Sequence, residues 1–174
     1  FAFHKNYEQR RSEINKLRKS FDIEIYDAVE MDYHPHDEDA ISTFLDEANF
    51  QYAIGSIHSL ENINIHNESY FDKKTEAERA ALVDEYFEKV IALIDSELFD
   101  IAAHLDLINR NPALRGFTTE SHYRQVAEAL ASSRTITELN AGRILKDYGE
   151  YHPSPSFLNI LQEYDISITI GTDS

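Results

Sequence analysis

The sequence has 174 residues, and its 32 acidic residues outnumber 16 basic ones, for a formal net charge of -16. The length allows one sizeable hydrophobic core, and the acidic balance disfavours nucleic acid as a partner. No cysteine is present, which excludes disulfides, thiolate zinc sites and cysteine nucleophiles, so any metal would bind His, Asp or Glu.

The charge excess is either a solvated acidic surface or a set of carboxylates gathered around cations. No apolar run approaches the roughly 20 residues of a membrane span, and the start F-A-F-H-K-N lacks a signal-peptide pattern. The sequence therefore predicts a cytoplasmic protein with no membrane partner. The chain also begins without Met and stops at G-T-D-S, inside a motif, which indicates a fragment of a longer protein.

Helices and strands alternate along the chain. Hydrophobic residues at helical spacing predict helices over about 5–20, 38–48, 75–96, 119–131 and 154–164. Runs rich in β-formers predict strands at 22–31, 51–58, 99–104, 134–140 and 166–170, and a polar stretch at 61–72 predicts a loop. This alternation favours a parallel α/β fold over α+β, and the absence of repeats or linkers predicts one domain, residues 1–174.

Several of the predicted strands end on residues that can bind a metal. The stretch Phe99–Asp106, F-D-I-A-A-H-L-D, is the clearest case, and the four candidate ligands are Glu30, His58, His104 and Asp173. In isolation His104 could equally be a structural histidine, and Glu30 a surface carboxylate. Because the carboxyl ends of parallel strands meet at one edge, we expect the four to lie together, with Asp106 as a supporting residue.

Imidazoles mixed with carboxylates suit zinc, iron or manganese, and clustered metals are a common route to phosphoester hydrolysis. Arg143 and Lys146 follow the fourth strand and could bind phosphate, or could be ordinary surface residues. His152 is expected to be structural or to lie on the surface. Phosphate-binding glycine loops, the G-x-S-x-G elbow and H-E-x-x-H are all absent from the sequence.

Six motifs, in order, span most of the chain. They are A-V-E-M-D-Y (28–33), G-S-I-H (55–58), L-F-D-I-A-A-H-L-D-L-I (98–108), E-L-N-A-G (138–142), Y-H-P-S (151–154) and I-G-T-D-S (170–174). With these motifs the sequence resembles the PHP family of metal-dependent phosphoesterases, and within it the histidinol-phosphate phosphatases. The resemblance implies part of a distorted (β/α)7 TIM-like barrel with a three-metal centre at the C-terminal ends of the strands.

The resemblance also implies roles for particular residues. Glu30 would be a bridging metal ligand, His58 and His104 further ligands, and Asp173 the aspartate of a D-x-H motif whose histidine would follow Ser174. The family's opening H-x-H motif would precede Phe1. By the same resemblance, Asp173 and His104 are the catalytic candidates, while Arg143 and Lys146 are candidates for substrate binding.

The activity implied is hydrolysis of a small-molecule phosphate monoester, L-histidinol phosphate, to L-histidinol and phosphate in histidine biosynthesis. Divalent zinc, manganese or iron would be the cofactor. Two alternatives remain open at this stage. One is a PHP phosphoesterase for another small phosphate or nucleotide, and the other is a PHP-like binding module without catalytic activity.

Overall fold

Five parallel strands form the main sheet. The structure, a computed structural model, describes residues 3–142, 144 and 148–173, and side chains from residue 7 onward. The described strands are β1 (Ala28–Asp32), β2 (Tyr52–Ser56), β3 (Ser59–Leu60), β4 (Ile63–Asn64), β5 (Ile101–Ala102), β6 (Ile136–Asn140) and β7 (Ile168–Gly171). The sheet order is β1-β2-β5-β6-β7, and β3 pairs with β4 in a separate antiparallel hairpin. The predicted parallel α/β fold is therefore confirmed.

Helices connect the strands as the sequence predicts. They are α1 (Phe3–Ser20), α2 (Glu38–Ala48), α3 (Glu68–Phe71), α4 (Glu76–Asp95), α5 (Glu120–Ala131) and α6 (Pro155–Glu163), with 3-10 turns at Pro35–Asp37, Leu107–Arg110 and Arg115–Phe117. A capping box starts α4: Thr75 Oγ accepts from the Glu78 backbone N–H, and the Glu78 carboxylate accepts from the Thr75 N–H. In the described residues, no helix combines the length and apolar character needed to cross a bilayer.

The predicted loop at 61–72 is wrong in part. The structure forms β4 and α3 within it, and Ile65 and Phe71 are fully buried. These two side chains anchor a segment whose polar composition gave no periodic signal. The strand predicted at 99–104 is also shorter, since the backbone φ of His104 is +27° and ends the extended conformation soon after β5.

One face of the sheet packs against α4. A Cβ atom added at Gly55 on β2 would lie 2.7 Å from the Phe99 ring and 3.0 Å from Leu93 of α4. Only glycine fits this close approach of helix and sheet. Because side chains alternate along a strand, residues 54 and 56 face the opposite side of the sheet, and so do their neighbours across the register.

Helix α1 is attached to the sheet at the N-terminal end of β1. Asp27, which is 4% exposed, accepts hydrogen bonds from Arg10 at 2.5 Å and Arg11 at 2.6 Å. Arg10 also donates to the Ala28 carbonyl at 2.8 Å. Asp27 precedes β1, so this ion-pair cluster fixes α1 at the N-terminal edge of the sheet. The side chains at the C-terminal edge of the sheet come from other parts of the chain.

Candidate metal centre

Three side chains that could bind a metal ion converge at one side of the sheet. Glu30, His58 and His104 each place one ligand atom within 4.8 Å of the others. Glu30 Oε1 lies 3.4 Å from His104 Nε2 and 3.8 Å from His58 Nε2. Two ligands about 2.1 Å from a tetrahedral ion are about 3.4 Å apart, so the spacing suits a shared divalent cation.

The three residues reach this position from different parts of their strands. His58 and His104 lie two residues beyond β2 and β5, as the prediction that ligands follow strand ends requires. Glu30 instead lies in the middle of β1, paired in register with Ile54, so the prediction that it ends its strand is wrong. The strand continues to Asp32, which places Glu30 and Asp32 on the same face.

The carboxylate of Glu30 is held in its ionised form. Hydrogen bonding with His104 lowers the pKa of Glu30 below its usual value, and this effect exceeds the opposing effect of partial burial. The side chain of Glu30 is 37% exposed, whereas that of His104 is 3% exposed. One candidate ligand is thus accessible from solvent and the other is fixed by packing.

Asp32 is a site residue that the sequence analysis missed. Its Oδ1 accepts a hydrogen bond from the His58 backbone N–H at 2.8 Å and lies 3.5 Å from His58 Nδ1. Ser56 Oγ lies 3.2 Å from the same nitrogen. These contacts occupy the Nδ1 side of the imidazole and leave Nε2 facing Glu30, as expected of a metal-binding histidine with a supporting carboxylate.

The Asp32–His58 contact also changes two pKa values. Hydrogen bonding to Asp32 raises the pKa of His58, although burial acts in the opposite direction. Burial alone would raise the pKa of Asp32, but hydrogen bonds from His58 outweigh burial and lower it. A signal for Asp32 was present in the sequence, because residues 30 and 32 of one strand share a face.

Asp106 lies outside the group of three and forms a buried pair with His152. Its Oδ1 is 2.7 Å from His152 Nδ1, and both side chains are 0% exposed. Its Oδ2 accepts from the Ser154 N–H at 2.9 Å. The backbone of His152 in turn pairs with that of Asn140 at the end of β6. His152 is therefore structural, one of the two placements expected, and it ties the loop after β5 to β6.

The remaining predicted site residues are placed differently. Asp173 is exposed, lies two residues beyond β7 and is not within the group of three. Its negative charge is one cause of the raised pKa of His58, after those of Asp32 and Glu30. Arg143 and Lys146 lie outside the described residues.

Comparison with known families identifies the architecture around this group. The sequence pattern of the PHP domain matches residues 2–142, which is most of the chain. The chain belongs to the PHP family. Two curated proteins are similar to this PHP chain. A probable histidinol-phosphatase of Deinococcus radiodurans is 24% identical over 165 residues, covering 94% of this chain and 63% of the relative.

The second is a histidinol-phosphatase of Lactococcus lactis, 27% identical over 183 residues, covering 99% of this chain and 66% of the relative. The PHP chain thus spans about two thirds of the length of these relatives.

Two solved structures share the PHP fold. A crystal structure of histidinol phosphate phosphatase from Lactococcus lactis, complexed with zinc, L-histidinol and phosphate, superposes with a TM-score of 0.77 at 23% identity, covering 96% of this chain and 66% of that one. A putative histidinol phosphatase from Listeria monocytogenes gives a TM-score of 0.77 at 18% identity, covering 94% and 69%. The open sheet seen among the described residues is part of that TIM-like fold.

The PHP chain also carries a basic residue that sequence reasoning overlooked. Arg110 closes the short helix that begins directly after Asp106, and its guanidinium lies 5.9 Å from the centre of the Tyr148 ring. The Tyr148 ring stacks on His152 with ring centres 4.8 Å apart. The signal for Arg110 in the sequence was its position six residues after His104, in a loop at the C-terminal edge of the sheet.

Proposed function

We propose that this protein is a metal-dependent phosphomonoesterase that hydrolyses L-histidinol phosphate to L-histidinol and phosphate. The observation that carries the proposal is the convergence of Glu30, His58 and His104 at spacings suited to a shared divalent ion. Membership of the PHP family and similarity to histidinol-phosphatases support the same reaction. The substrate is inferred from those relatives.

Glu30, His58 and His104 would hold a divalent ion, and Asp173 would extend the set toward a centre of three ions. When bound, such ions activate water and offset the negative charge of the phosphate. Zinc is present in the crystal structure of the Lactococcus lactis enzyme, and zinc, manganese and iron all suit an imidazole and carboxylate set.

The residues of the chain supply position and charge. The lowered pKa of Glu30 keeps its carboxylate ionised near neutral pH. Burial of His104 fixes the direction of its Nε2, and Asp32 orients His58 through the backbone and ring contacts. The exposed carboxylate of Asp173 is proposed to accept a proton from the attacking water. His104 is proposed to hold the phosphate group in place.

Positive charge for the phosphate has three proposed sources. Arg143 and Lys146 remain predictions from the sequence. Arg110 joins them because its loop leaves the C-terminal edge of the sheet immediately after Asp106. Because a guanidinium can bind phosphate through two parallel hydrogen bonds, arginine suits this role better than lysine does.

Phosphate release from L-histidinol phosphate tests the proposal. The full-length protein, loaded with manganese or zinc, should release phosphate, and His104→Ala should lower kcat/KM by more than about 100-fold, because outer residues of metal sites alone account for about 10- to 100-fold. His36→Ala is a matched control, since His36 is exposed on the 3-10 turn after β1.

A panel of other small phosphate monoesters and nucleotides separates this substrate from the alternatives. Release from another member of the panel, without release from L-histidinol phosphate, would reject the substrate but retain the reaction. No release from any member would reject the enzyme and favour a binding module.

A further inference from the structure

The face of the sheet opposite α4 carries side chains in ordered rows. The strand register pairs Glu30 with Ile54, Ile54 with Ile101, and Ile101 with Ile136. The three isoleucines are half-buried. Residues in register across parallel strands point to the same face, so an apolar row extends from the metal ligand Glu30 across β2, β5 and β6.

Glu138 lies one step further along the same face. It follows Ile136 by two residues on β6, toward the C-terminal edge, and pairs in register with Thr169 on β7. Neighbouring strands are about 4.8 Å apart, so β6 is about 10 Å from β2, the strand that leads to His58. The carboxylate of Glu138 therefore lies on the same face of the sheet as Glu30, on the strand next to β5, which leads to His104.

The backbone of β7 shapes the position of this carboxylate. A Cβ atom at Gly171 would overlap Glu138 Oε1, so the carboxylate lies directly over the main chain at Gly171. The other oxygen, Oε2, accepts a hydrogen bond from Asn140 Nδ2 at 3.1 Å. Asn140 is itself fixed, because its Oδ1 accepts from the Gly142 N–H at 3.0 Å.

The charge of Glu138 is not matched by a cation within the described part of the chain, where no ion pair of 4.0 Å or less involves it. Its one side-chain hydrogen bond there comes from the neutral amide of Asn140. A half-buried carboxylate beside an apolar row attracts a cationic group more strongly than a fully solvated one does.

We infer that Glu138 is a specificity-determining residue that binds the ammonium group of an amino-bearing phosphate monoester. The inference rests on the proposed function, because L-histidinol phosphate carries both a phosphate and an amino group on a short carbon chain. With the phosphate held beside His104, the amino-bearing carbon, which one methylene joins to the ester oxygen, would lie between the ends of β5 and β6. The ammonium would then reach Glu138 on β6, one strand from the strand that leads to His104.

A selectivity measurement tests this role. L-histidinol phosphate is compared with its deamino analogue, in which hydrogen replaces the amino group. The parent protein should prefer the amino substrate, and Glu138→Gln should lower the ratio of the two kcat/KM values by about 10- to 100-fold, mainly through KM, the range of one charge-assisted contact. Equal losses on both substrates would overturn the inference and show that Glu138 acts structurally, through Asn140.

A second variant addresses the same contact while retaining the carboxylate. Gly171→Ala fills the space under Glu138 Oε1 and should lower the same ratio by displacing the side chain. The matched control is Glu88→Gln, an exposed carboxylate on α4, which should leave the ratio unchanged. An unchanged ratio in both Glu138→Gln and Gly171→Ala would refute the assignment.

A binding measurement covers the case in which the variants turn over too slowly. Calorimetric titration of the zinc-loaded protein with L-histidinol should give a Kd that rises about 10- to 100-fold in Glu138→Gln. An unchanged Kd would contradict the inference. Failure of the parent protein to hydrolyse either phosphate ester would instead reject the proposed function, and this inference with it.

Discussion

Two histidine–carboxylate pairs each take one residue from the loop after β5, His104 in one pair and Asp106 in the other. The two pairs differ in spacing and in burial. His104 and Glu30 approach to 3.4 Å, and the Glu30 side chain is 37% exposed. His152 and Asp106 approach to 2.7 Å, and both side chains are completely buried. The first pair has the spacing of ligands around an ion, whereas the second has the spacing of a direct hydrogen bond.

The difference between the two pairs separates metal binding from stability of the fold. In the buried pair, Asp106 has both oxygens occupied, by His152 and by the Ser154 N–H, so its atoms are satisfied within the fold. In the open pair, the oxygen of Glu30 lies 3.4 Å and 3.8 Å from two imidazole nitrogens, both longer distances than the 2.7 Å of the buried pair. We therefore expect the buried pair to determine the free energy of unfolding and the open pair to determine metal affinity.

The largest expected effect comes from breaking the buried pair. His152→Ala leaves the carboxylate of Asp106 buried without its imidazole, and it should lower the free energy of unfolding by about 3–5 kcal/mol. Urea denaturation of the metal-free protein measures the change. His36→Ala, at an exposed histidine, should stay within about 0.5 kcal/mol of the parent. A loss below about 1 kcal/mol for His152→Ala would show that the pair contributes no more than an ordinary hydrogen bond.

Glu30→Gln should have the next largest effect, and on a different property. The amide removes the negative charge between the two imidazoles, so metal affinity and phosphate release should fall more than about 100-fold. Unfolding of the metal-free protein should change by less than about 1 kcal/mol, because this pair is partly exposed. Metal content by mass spectrometry, phosphate release and urea denaturation measure the three quantities. A large loss of stability with normal metal content would contradict the division of roles.

Asp32→Asn tests the supporting residue of the open site. The amide still accepts from the His58 backbone but holds its ring less strongly, so metal affinity should fall about 10- to 100-fold. Competition with a chromophoric chelator measures this affinity. Asp37→Asn is the control, at an exposed aspartate in the nearby 3-10 turn. Equal affinities for Asp32→Asn and the parent would show that Ser56 alone orients the ring.

The smallest expected effect is the pH dependence of the metal-free protein. The pKa of His58 is raised in the folded state, so its contribution to stability is complete below its unfolded pKa of about 6.5 and is lost as the pH rises through the folded value. The pKa values of Glu30 and Asp32 are lowered, so their contribution is present above about 4.5 and is lost as the pH falls.

The stability of the metal-free site should therefore be greatest between about pH 4.5 and 6.5, by less than about 1 kcal/mol because the groups are partly exposed. Metal binding should show the reverse trend, strengthening as the pH rises and His58 loses its proton. Urea denaturation across this range, with and without zinc, measures both trends. His58→Gln should remove the fall in metal-free stability above pH 6.5; persistence of that fall would assign it to another group.

The sequence predicted the order of strands and helices because hydrophobic periodicity is local. The same pattern predicted that His58 and His104 lie close together, since each follows an apolar strand. It could not show that Glu30 lies mid-strand, because strand ends are set by hydrogen bonding to β2 rather than by composition. Nor could it pair Asp106 with His152, whose contact spans 46 positions and depends on the bridge between His152 and Asn140.

The left-handed backbone at His104 has a consequence for redesign of the metal preference. At a φ of +27°, most side chains with a Cβ atom are strained, and asparagine and aspartate tolerate this region better than others. A cysteine introduced to favour soft metals would carry that conformational cost, whereas an aspartate introduced to favour hard ions would carry less of it. If His104 binds the ion as proposed, its backbone geometry favours redesign of the site toward magnesium or manganese over redesign toward thiolate ligands.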